Sequence, residues 1–137
     1  MKTIIATTAL CLSAAAAFAA AHAMAPAVTA SDQDTSGGTV SADSVIAPAN
    51  GWLVVHRTDA EMAPGPVVGH APLGEGENMD VTAILTEDVA SGDMLMLMVH
   101  GEDGGMSTGV FEYTLGASED GPIRQDGNLV MATITAE

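Results

Sequence analysis

From residue 39 onward, short apolar runs alternate with turn clusters, and no segment keeps helical spacing over three turns. The strongest run is Met94-Leu95-Met96-Leu97-Met98-Val99-His100. At strand period it puts Met94, Met96, Met98 and His100 on one face and Leu95, Leu97 and Val99 on the other. A strand apolar on both faces belongs in the middle of a sheet that is covered, at least in part, on both sides. Gly51-Trp52-Leu53-Val54-Val55-His56 is a second such run, and it also ends in histidine. Residues 79–86 alternate, with Met79, Val81, Ala83 and Leu85 on one face and Asp80, Thr82 and Thr86 on the other, the pattern of a half-exposed strand. Further strands are predicted over 40–46, 66–70, 110–115 and 129–135, and 73–78 is predicted to be a flexible acidic turn. Seven strands with Gly and Pro turns and no helix predict an all-β fold, a seven-stranded antiparallel β-sandwich of immunoglobulin or cupredoxin type.

The chain before residue 39 is of another kind. Lys2 is followed by an alanine-rich apolar stretch that closes on Ala21-His22-Ala23, a small-x-small site, with Pro26 beyond it. Residues 1–23 therefore read as a secretory signal peptide. Leu10 stands before Cys11 where lipid attachment needs a small residue, so no lipid anchor is expected. Residues 24–38 show no periodic apolar signal and are predicted to be a disordered leader, with the sandwich domain over 39–137.

Cleavage changes the chemistry that remains. It removes the single cysteine, and with it any disulfide or thiolate metal site. It also removes Lys2, leaving Arg57 and Arg124 against 18 acidic side chains. Such a surface repels nucleic acid and anionic membrane, so neither is expected as a partner, and no membrane insertion is expected after cleavage. The protein is expected to be exported, to a periplasmic or extracellular location.

The motifs, taken in order, resemble a family. The pattern is Gly51-Trp52-Leu53-Val54-Val55-His56, then Gly65-Pro66-Val67-Val68-Gly69, then Leu73, Gly76, Asn78, Val81 and Leu85. It continues with Leu97-Met98-Val99-His100, Asp103 and Gly105, and closes on Asp120-Gly121-Pro122 and Asp126-Gly127. It is similar to an uncharacterised domain of exported proteins, many from salt-loving microbes, with no assigned activity. The resemblance spans about residues 39–135 and implies a β-sandwich in an extracytoplasmic setting. The chain departs from it at His70, where serine or threonine is usual, and in Val110-Phe111-Glu112-Tyr113.

No nucleotide-binding glycine loop, His-Glu-x-x-His or supported Ser-His-Asp order is present after residue 23, and the shortage of basic residues leaves no electrophilic partner, so no enzyme is expected. Glu102-Asp103-Gly104 and Glu119-Asp120-Gly121 lack the alternating Asp/Asn spacing of a calcium loop and read as turns. Two function classes fit. The first is a non-catalytic envelope module with a protein or envelope partner. The second is a copper(I)-binding protein, because Met and His are the soft ligands left when Cys is absent. In that reading His56 and His100 lie on neighbouring strands at the same end of the sheet and share one ion with a methionine. Met96, Met98 and His100 share a face at ~6.6 Å spacings, too long for two of them to meet one ion without a bend. Met106, on the following loop, is therefore preferred over Met98 as the third ligand. Against this stands methionine's ordinary use as a core filler.

Overall fold

The computed structural model describes residues 24–137; the predicted signal peptide, 1–23, lies outside the described residues. Among the described residues nine strands form: β1 (Ala27–Thr29), β2 (Thr39–Ala47), β3 (Gly51–Thr58), β4 (Val67–Leu73), β5 (Gly76–Leu85), β6 (Met94–Gly101), β7 (Arg124–Gln125), β8 (Asn128–Leu129) and β9 (Met131–Thr135). Seven of them make one antiparallel sheet in the order β1-β2-β5-β4-β3-β6-β9, and β7 and β8 pair as a separate small hairpin. The expected seven-stranded antiparallel architecture is thus present, but the two faces of the expected sandwich belong to one continuous sheet. That sheet curls until β1 lies against β6 and β9, a nearly closed barrel. The seam is tied by the bridge between Gln33 and Ala136 and by the Thr135 N–H donating to Asp32 Oδ1 at 2.7 Å.

The barrel interior takes one face of each long strand. Leu53 and Val55 of β3 meet Leu95, Leu97 and Val99 of β6, with Val40, Val45, Val68, Leu73 and Ile134 around them. Burying such side chains contributes ~1.5–3 kcal/mol each before the entropy of ordering them. β6 is central and covered on both sides, as its double apolar pattern predicts: Met96, Met98 and His100 are as buried as the Leu face.

Four expectations are corrected. The leader predicted to be disordered, 24–38, carries β1, paired with β2 through Val28 and Val45. Its polar side chains also bind the domain, since Gln33 exchanges two hydrogen bonds with the Ser41 backbone. Residues 110–115 are not a strand; this stretch crosses the outer face of β3 and β6, and β1 is the seventh strand in its place. In β5 the alternation holds from Val81 to Leu85, but Asp80 adopts φ 51°. That left-handed residue breaks the two-residue period, and Met79 turns out to solvent. The acidic turn also starts the strand early, with Gly76, Glu77 and Asn78 already paired to β2.

Candidate functional site

β3 and β6 pair antiparallel, with Trp52 opposite His100, Val54 opposite Met98 and His56 opposite Met96. Each histidine closes its own strand, and the strands run in opposite directions. His56 and His100 therefore lie at opposite ends of the pair, four register positions apart, and not at the same end. The side chains recover the separation by leaning toward one another along the outer face. A register shift between Val55 and His56, where β3 meets β4, falls at the strand position that aims His56.

The result is a fully buried pair with Nε2 to Nε2 at 3.4 Å and the rings stacked at 5.4 Å, 29°. Each ring is fixed from behind by a backbone carbonyl. His56 Nδ1 lies 2.8 Å from Gly65 O, and His100 Nδ1 lies 2.6 Å from Asp120 O. A carbonyl only accepts, so each Nδ1 carries the proton. Both Nε2 atoms then present lone pairs to each other. A hydrogen bond between them would need an extra proton, making one ring a buried cation. Burial pushes His56 down from 6.5 and is the main cause of His100 falling to about 4, with the neighbouring His56 lowering it further against the Asp120 carbonyl. Near neutrality both rings are neutral, and the facing lone pairs are unsatisfied.

Two backbone segments build this arrangement. The 59–66 loop returns so tightly to β3 that a Cβ on Gly65 would stand 2.7 Å from Arg57 O, which is what brings the Gly65 carbonyl to His56. Residues 102–121 leave β6, cross its outer face and return, Gly101 N–H donating to Gly121 O at 2.9 Å and His100 bridging to Pro122. On the way the segment lays Tyr113 edge-on to His100 (centroids 4.5 Å, 78°) and to His56 (5.9 Å, 74°). Phe111 stacks on His70 (4.3 Å, 25°) and meets the Trp52 edge at 5.5 Å. Asp120 holds the crossing closed: it is fully buried, its N–H donates to Asp103 O and its Oδ2 accepts the Glu112 N–H at 2.8 Å.

Of the four residues expected to form a metal site, His56 and His100 come together. Met98 is buried on the same face of β6 as His100, and Met96 beside it likewise. Met106 is 94 % exposed and is not brought to the pair. Tyr113, Gly65 and Asp120 stand in the sequence as parts of family motifs and turns, with nothing to mark them as site residues.

The spacing limits what the pair can hold. Two imidazole nitrogens each ~2.0–2.1 Å from one ion stand about 3.3–3.6 Å apart at tetrahedral or trigonal angles, and about 4.1 Å apart across a linear ion. The observed 3.4 Å fits the bent geometries, which call for at least one more donor. Among the described residues no group of three or more His, Cys, Asp or Glu gathers around a common point. Met96 and Met98 share this buried face of β6, and Tyr113 closes over the pair.

No curated protein and no solved structure matches the chain. Residues 26–137 match the model of a domain of unknown function, DUF7282, and the chain belongs to that family.

Proposed function

We propose that this protein is an exported, non-catalytic β domain whose His56–His100 pair holds one copper(I) ion, with a methionine of β6 as third donor. One observation carries the reading: two buried, neutral imidazoles face each other through their lone pairs at 3.4 Å, with both protons committed to carbonyls on the far sides. Leaving two buried acceptors unpaired costs free energy that a cation between them recovers. Carbonyl-anchored Nδ1–H groups are also the usual support of histidine ligands. Two nitrogens with a thioether favour a soft ion, and copper(I) above zinc(II) or calcium. Met98 is the preferred sulfur in place of the exposed Met106, because the His100 ring leans along β6 toward His56 and so closes the ~6.6 Å strand period between Met98 and His100.

Export rests on the sequence of residues 1–23, and the acidic surface leaves a protein or envelope component as the macromolecular partner. The test is anaerobic titration with copper(I) against a chromophoric chelator. One ion per chain, bound more tightly than micromolar and lost when His56 or His100 becomes alanine in a folded domain, is expected. Binding weaker than micromolar sinks the site.

A further inference from the structure

Resting on that reading of the histidine pair, we propose that Asp120 is the site's positioning residue and its counter-charge, which suits the site to a monovalent ion. Asp120 is fully buried, and its Oδ1 has no hydrogen-bond partner. A buried carboxylate without a partner costs free energy that a positive charge nearby would recover. The two arginines among the described residues are committed elsewhere: Arg57 to Glu87, Asp93 and the Asp88 carbonyl, Arg124 to the Gly127 carbonyl. The same residue touches the site directly, because its backbone oxygen fixes His100 with Nε2 free.

Two unmet needs therefore meet at His100, lone pairs without a cation on its Nε2 side and, on the residue that holds its Nδ1, a buried carboxylate oxygen without a partner. A singly charged ion at the pair answers both, since the imidazoles and the thioether are neutral and Asp120 supplies one negative charge. A doubly charged ion would leave one positive charge uncompensated in the interior.

Asp120→Asn removes the charge and keeps the rest. Asparagine accepts the left-handed backbone that Asp120 adopts (φ 45°), and its amide oxygen still receives the Glu112 N–H. Two quantities are measured on the full chain: copper(I) affinity by chelator competition, and the one-electron midpoint potential of the bound copper. The folded variant is expected to keep one ion per chain and to bind copper(I) at least tenfold more weakly. Losing a negative charge harms the divalent state more, so the potential should rise; a tenfold differential corresponds to about 59 mV. If Asp120→Asn does not fold, Asp120→Gly, which keeps both the carbonyl and the left-handed backbone, takes its place. A folded variant with an unchanged potential overturns the assignment whatever its affinity, because looser packing alone favours neither charge state. Failure of the natural chain to bind copper(I) would instead remove the underlying reading.

Discussion

Acid should unfold the metal-free domain through its buried histidines, in a pH window set by them. In the open chain His100 takes its proton near 6.5, whereas the fold holds it at about 4 because protonation would place a charge in a dry site. Above 6.5 the ring is neutral in both states and contributes no pH dependence. As pH falls through 6.5 the unfolded chain binds the proton first, so stability is lost progressively and the loss is complete near 4. At about 1.36 kcal/mol for each tenfold difference in proton affinity, the interval amounts to roughly 3 kcal/mol, against a total of ~5–15 kcal/mol for a domain. His56, lowered by the same burial, acts in the same direction. Asp34 and Asp93 are held below 3.8, so their contributions are lost at lower pH and stay outside this window. The acid excess works the other way, since neutralising carboxylates relieves self-repulsion. The clean observable is therefore a difference. Urea melts from pH 7.5 to 4.0 should show the natural chain losing its midpoint faster than His100→Asn, in which the amide can still donate to the Asp120 carbonyl but position 100 no longer titrates. Parallel curves for the two proteins would refute the account of His100 as a buried neutral ring.

Two further outcomes follow from the same geometry and a third from the sequence. Leu97→Asp and Met96→Asp, one on each buried face of β6, should each unfold the domain, because an unpaired buried carboxylate costs several kcal/mol; native strand content and melting temperature in both would contradict that placement. Gly51→Ala should cost about 1–3 kcal/mol, because its Cβ would clash with the His100 carbonyl oxygen, and thermal melts would detect it. Mass measurement of the exported protein should show it starting near Met24 without Cys11, whereas a species that retains Cys11 with attached lipid would overturn the signal-peptide reading.

The parts of the fold that depend on side-chain period were legible. β6 reads as central because Met96 and Leu97 are both apolar, and burial on both faces is what the barrel gives it. β1 was not legible, since three residues, Ala27-Val28-Thr29, are too few to show a period and are ordered by the edge of β2. Phe111 and Tyr113 alternate with polar neighbours and so imitate a strand, yet they dock onto the outer face as a cover. The histidines were visible as strand-closing residues, but the contact between them depends on register and on side-chain lean, which sequence does not carry. The groups that orient them are the carbonyls of Gly65 and Asp120. Every residue has a carbonyl, so no residue type marks those positions; the only local hints are a glycine between prolines and an Asp-Gly turn. Met106 attracted attention by its nearness in sequence to His100, whereas its loop leads it out to solvent.

Long-range proton–nitrogen NMR spectra of the histidine rings observe the two facing Nε2 nitrogens directly. At pH 7.5 the metal-free protein should show His56 and His100 both neutral and both protonated at Nδ1, the tautomer in which the Nε2 lone pairs face each other. One equivalent of copper(I), added without oxygen, should then shift both Nε2 resonances together and leave the protons on Nδ1 in place. A ring protonated at Nε2 in the metal-free protein, or Nε2 signals that do not move with copper(I), would contradict the account.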